Sequence, residues 1–230
     1  EKPQIIERIF EKTEKKIQEI KIMINLYVTR HGQTVWNVER KFQGRKDSPL
    51  TELGKMQALL FHERLKKLDV DIIYCSPSQR TIETMRLMKG ELEIPVVFSE
   101  KLYEMGFGDW EGKNIIEIGE KYPVECNNLY HHPDTYLPIT GETYESVFDR
   151  TKSLIDEILE KEQDKNVLVI THGITRKAIM TFFQEKSLEE FWNMEAIAKQ
   201  ASLTHIKIQE DGSYEVLLKN DYMHWKHLEE

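Results

Sequence analysis

The sequence holds two cysteines, Cys75 and Cys126, and no Cys-x-x-Cys pair. That argues against a structural zinc site of the usual spacing and against a disulfide-stapled scaffold. It suits a reducing compartment, and a cytoplasmic location is expected. No apolar run approaches the roughly 20 residues of a membrane-spanning helix, and the first residues are charged, unlike a secretory signal. Basic residues are in deficit, with 32 Lys and Arg against 40 Asp and Glu for a formal charge of −8. A mildly acidic chain is a poor general partner for nucleic acid or an anionic membrane, although it leaves room for a local basic pocket that takes a small anion. Apolar residues are not scarce: at 40 % hydrophobic, the chain can build a core and is not a disordered one. Its 230 residues fit one large domain, or one domain with a small insert.

Residues 1–22 stand apart, since eleven of them are Lys, Arg or Glu. Ile6, Ile9, Phe10, Ile17 and Ile20 recur at helical spacing, and Glu11 and Lys15 can pair one turn apart. The expectation is a charged amphipathic helix appended to the domain at 23–230. It would pack on that domain or serve docking or oligomerisation, and a homodimer is one possible outcome. After Met23, strand and helix patterns alternate. Strands are expected at 24–29, 70–75, 94–98 and 167–171, and a hairpin at 201–208 and 214–218 around Glu210-Asp211-Gly212-Ser213. Helices are expected at 51–68 with Thr51 as cap, from Ser76-Pro77 onward, at 143–162, and from about residue 175. Residues 105–143 hold five glycines and three prolines and read as an irregular insert. This order implies an α/β three-layer sandwich: a mostly parallel central sheet, helices on both faces, and a small cap insert at about 105–143.

Ligands of such sheets sit beyond the carboxyl ends of the strands. Thr29-Arg30-His31-Gly32 follows the first strand, Ser76-Pro77-Ser78-Gln79-Arg80 the second, and His172-Gly173 the 167–171 strand. Two histidines and two arginines therefore gather on one sheet edge, with Arg80 in the first turn of a helix. Guanidinium forks and helix N-termini both favour phosphate oxygens. Each of these elements is a weak signal alone; their shared placement is what carries weight.

The stretch LYVTRHGQTVWNVERKFQGRKDSPLTELG (26–54) strongly resembles the opening of the histidine phosphatase superfamily, in its phosphoglycerate-mutase-like branch and in a phosphatase-type form. The resemblance continues in SPSQRTIET (76–84), LYEMGFGDWEG (102–112), GET (141–143) and VLVITHG (167–173). It implies a covalent phosphohistidine mechanism with no metal and no cofactor. His31 would be the nucleophile, Arg30, Arg80 and His172 would hold phosphate oxygens, and Glu104 would be the general acid and then base. Asn37 and Gly173 match further phosphate contacts, and Gln43-Gly44 match a loop beside the substrate. Nearby arginines favour the neutral, attacking form of His31. A carboxyl group in a partly closed pocket beside a phosphate dianion is favoured in its protonated form.

The partner implied is a small phosphorylated metabolite. Three readings stay open: a phosphomonoesterase, a phosphoglycerate mutase using the same phosphohistidine, and a non-catalytic protein that binds a phospho-ligand. The short segment after Glu104 favours the first. Cys126, His131, His132 and Asp134 could suggest a metal cluster, but their spacing fits no standard pattern and a cap loop is the expected reading. Trp110, Trp192 and Trp225 read as packing residues.

Overall fold

The protein was analysed as a computed structural model, which describes residues 22–194 and 196–229. The helix expected before residue 22 lies outside the described residues. The strands are β1 (Ile22–Arg30), β2 (Ile72–Cys75), β3 (Val96–Phe98), β4 (Lys165–Thr171), β5 (Leu203–Gln209) and β6 (Tyr214–Asp221). They form one sheet in the order β3-β2-β4-β1-β5-β6. β1 to β4 run parallel, and β5 and β6 form the antiparallel hairpin expected from the sequence. The helices are α1 (Val35–Val38), α2 (Glu52–Leu65), α3 (Gln79–Lys89), α4 (Ile115–Lys121), α5 (Pro123–His131), α6 (Tyr144–Lys161), α7 (Gly173–Phe183) and α8 (Phe191–Met194).

Both sheet faces are buried, because the strands are apolar on both sides. Ile24, Leu26 and Val28 of β1 join Val167 and Val169 of β4 on one face. There they meet Leu154, Ile155 and Ile158 of α6 and Ile179, Met180 and Phe183 of α7. Tyr27, Leu168 and Ile170 point to the other face, against Ala58, Phe61 and Leu65 of α2, Met85 and Met88 of α3, and Trp225 near the chain end. A third apolar cluster lies above the sheet edge and holds the insert: Trp110, Ile118, Cys126, Leu129 and Tyr136 pack on Tyr144, Val147 and Phe191.

Two expectations are corrected. The insert at 105–143 is not simply irregular, since it carries α4 and α5. Both are short, and Pro123, which reads as a breaker, is the first residue of α5. Burial of Ile118, Cys126 and Leu129 holds them in place, and no local periodicity announces that. The helix expected to open at Ser76-Pro77 starts at Gln79 instead, with Ser78 at its cap position. Ser76 still belongs to the sheet, its N–H donating to Ile170 O at 3.0 Å.

Candidate active site

Because β4 lies between β1 and β2, their carboxyl ends are brought side by side. Arg30 pairs with Thr171 and Cys75 with Ile170 in register. The His31 N–H extends this ladder, donating to Thr171 O at 3.0 Å. His31 and His172 thus leave neighbouring strands, with ring centroids 5.3 Å apart. The loop after His31 presses on the start of α2, where a Cβ on Gly32 would lie 2.5 Å from Gly54 O, so only glycine fits there.

A cavity of about 180 Å³ opens over this edge. Of the residues singled out from the sequence, Arg30, His31, Asn37, Gln43, Gly44, Arg80, Glu104 and Gly173 line it. His172 does not line it, but lies buried directly beside His31. The metal reading gains nothing: Cys126 is buried in the third cluster while His131, His132 and Asp134 are exposed.

His31 Nδ1 lies 2.7 Å from Gly32 O. A carbonyl can only accept, so Nδ1 carries the proton and Nε2 keeps a free lone pair. Burial, reinforced by the charges of Arg80 and Arg30, holds His31 well below the ordinary histidine value, so the ring is neutral at pH 7. His172 is depressed in the same way, first by burial and then by Arg80. Its Nε2 meets Ser76 Oγ at 2.8 Å and Ser78 Oγ at 3.2 Å, while its Nδ1 is buried without a protein partner.

Arg80 is fixed along one edge. Its Nη1 donates to Lys46 O at 2.8 Å and to Asp47 Oδ1 at 2.7 Å, and its Nη2 donates to Gly44 O at 2.8 Å. The Nε–H and the second Nη2–H form the remaining edge of the planar group, and Nε has no partner. That free edge has the geometry of a fork that can donate to two oxygens of one anion. Asp47 does more than pair with Arg80. It also accepts from Gln79 N at 2.9 Å and Arg80 N at 3.2 Å, capping α3 in place of Ser78, whose hydroxyl serves His172 and Thr81. Arg30 is anchored by a bond from Nη1 to Ala198 O at 2.9 Å, and its buried Nε is also without a partner. Burial lowers Arg30 to about 10, which still leaves it charged at pH 7.

Glu104 sits at the start of α7. Its Oε1 accepts from Met105 N at 3.0 Å and Thr175 N at 3.1 Å, and its Oε2 accepts from Ile174 N at 3.1 Å. It therefore caps the helix that His172 opens without a side-chain cap of its own. Asn37 uses its oxygen on Thr34 N and Oγ1, both at 3.0 Å, so its amide NH2 is what it can offer the cavity. Sequence reasoning missed the layer behind these residues. Glu111 accepts from Arg45 N, Lys46 N and Phe107 N and so shapes the loop whose carbonyls hold Arg80. It also missed Lys41, Tyr130 and Trp192, which line the cavity.

An α/β sheet with a neutral histidine at its carboxyl edge, beside unpartnered guanidinium N–H donors and a second buried histidine, is the architecture of a phosphoryl-handling protein. The profile of the histidine phosphatase superfamily (branch 1) matches residues 26–221, and the chain belongs to that family. It is 34 % identical to a protein named putative phosphoserine phosphatase 2 from Hydrogenobacter thermophilus, over 90 % of this chain and all of that protein. It is 31 % identical to a 2,3-bisphosphoglycerate-dependent phosphoglycerate mutase from Cytophaga hutchinsonii, over 72 % of this chain and 79 % of the mutase. Among solved structures, it resembles Bacillus stearothermophilus YhfR with a TM-score of 0.84 and 35 % identity, covering 88 % of this chain and all of the other.

Proposed function

We propose that this protein hydrolyses phosphate monoesters of small metabolites through a phosphohistidine at His31. The observation that carries the reading is the set of buried, unpartnered nitrogens around His31: Arg30 Nε, Arg80 Nε and His172 Nδ1. Unpaired buried polar groups are costly, and two guanidinium donors with a histidine nitrogen beside one nucleophile make a site suited to the oxygens of an anion. His31 Nε2 attacks phosphorus as the ester P–O bond breaks. Glu104 gives its proton to the departing alcohol oxygen, and the arginines offset charge on the transferring group. Glu104 then takes a proton from water, whose oxygen attacks the phosphohistidine and releases inorganic phosphate and free His31. The α7 N–H groups suit the carboxylate needed for this second half-reaction. Family membership and the phosphatase names among the relatives support a phosphatase.

The test is a rapid alkaline quench with radiolabelled phosphate ester, EDTA present. Label should be trapped on the parent protein in acid-labile, base-stable form. In His31→Ala, both trapping and turnover should fall by about 10⁴-fold or more. Turnover that survives that substitution would falsify the mechanism. Label returned to a second hydroxyl of phosphoglycerate, with no inorganic phosphate released, would mark a mutase instead.

A further inference from the structure

A second cavity lies at the opposite end of the sheet from His31. It measures about 480 Å³ and sits where the last turns of α6 and α7 meet the β5–β6 turn. Leu159, Phe182, Phe183, Ile208 and Tyr214 form its apolar floor, continuous with the core cluster around β1 and β4. Three carboxylates, Glu185, Glu210 and Asp211, form its rim, and no basic side chain lines it among the described residues. None of the three is in an ion pair among those residues. An anionic metabolite has nothing to hold it there. An apolar floor inside an acidic rim calls for an amphipathic occupant with cations along its edges.

The chain enters β1 at the lip of this groove. Ile22 pairs with Gln209 in antiparallel register, so residue 21 leaves the sheet beside Glu210. Residues 12–21, KTEKKIQEIK, carry four lysines against two glutamates, a positive surplus on a chain whose formal charge is −8. Ile17 and Ile20 are spaced one helical turn apart, which sets Lys16 and Lys21 to either side of them. In helical form Ile17 stands only about 8 Å along the axis from Ile22, so both isoleucines reach the groove without a linker. We propose that residues 12–21 fold back over this groove of their own chain. Ile17 and Ile20 cover Phe182 and Tyr214, and the lysines meet Glu185, Glu210 and Asp211. Burial of apolar surface supplies the attraction, and the charges set the orientation. The segment lies outside the family match at 26–221, and the proposal does not depend on the phosphatase reading.

The test uses the full chain as an equal mixture of ¹⁴N- and ¹⁵N-labelled protein, treated with a zero-length carbodiimide. Links from Lys21 follow from the strand register alone and are set aside. We expect same-chain links from Lys12 or Lys16 to Glu185, Glu210 or Asp211. Links between differently labelled chains would put a second copy in the groove and overturn the proposal. Hydrogen exchange gives a reading that needs no cross-linking chemistry. Ile17→Asp combined with Ile20→Asp should speed exchange at 182–185 and 208–214 about tenfold and leave the core strand at 72–75 unchanged. From the other side, Glu185→Lys combined with Glu210→Lys should speed exchange at 12–20 about as much. Exchange that neither pair of substitutions alters means that the segment does not cover the groove, and overturns the proposal.

Discussion

The two ends of the cavity are built by different physics. The polar end comes from strand termini: Arg30-His31 after β1, Ser76 to Arg80 after β2, and His172-Gly173 after β4. The sheet register places them, and backbone N–H groups at two helix starts hold the carboxylates of Asp47 and Glu104 beside them. The apolar end comes from α5, α8 and the loops around them, held together by side-chain packing in the third apolar cluster. One end is therefore set by short, local sequence and the other by long-range burial. The two should respond to mutation separately.

The largest test of that separation is Arg80→Ala. It removes a bidentate phosphate fork and should lower kcat/KM about 10³-fold while hardly changing which alcohol is preferred. A changed preference with an unchanged rate would break the division. At the other end, Leu129→Ala opens a cavity under Trp192 and Tyr130 and should cost about 2–5 kcal/mol in denaturant titrations. The affinity for inorganic phosphate should hold within about threefold. Asp47→Ala is milder. It removes one of the two partners of Arg80 Nη1 and uncaps α3, so inhibition by vanadate should weaken about tenfold, and stability should fall by about 1 kcal/mol. Asp47→Asn should lose less of both, because an amide oxygen still accepts from Gln79 and Arg80.

A more gradual effect is in pH. His31 and His172 are held well below the ordinary value of 6.5 when folded, so the unfolded chain binds more protons below that pH. Their contribution to stability is complete above about pH 7. It is lost as pH falls below about 6.5 toward the depressed folded-state values, by at most about 1.4 kcal/mol per pH unit for each histidine. Melting curves across pH 5–8 should show this decline, and His172→Asn should flatten it. A profile unchanged by that substitution would argue that carboxylates govern the acid limb.

The placement of the polar end was legible in the sequence because its residues are consecutive with strong strands. A run such as VLVIT followed by His-Gly predicts its own position at the sheet edge. The architecture, the hairpin and the cap Thr51 followed from the same local signals. Trp192 and Tyr130 were not legible as cavity walls, since an aromatic in a short helix reads as packing, and Trp192 both packs and lines. Nor was Glu111 legible as the carboxylate that shapes the 43–46 loop: its bonds to Arg45 N and Lys46 N span 66 and 65 residues and leave no periodic trace. The start of α3 moved from Ser76 to Ser78 because the Ser76 N–H had a competing partner in β4.

The cap supplied by Asp47 ties together two properties that would otherwise vary independently. Ser78, at the cap position, gives its hydroxyl to His172 and Thr81, and a residue from a distant loop closes the helix in its place. The same carboxylate orients the guanidinium. Lengthening or loosening the 43–47 loop would thus shift both grip on phosphate and the onset of α3. An engineer who wishes to tune one without the other would first have to restore a local cap at Ser78 and find His172 another hydroxyl.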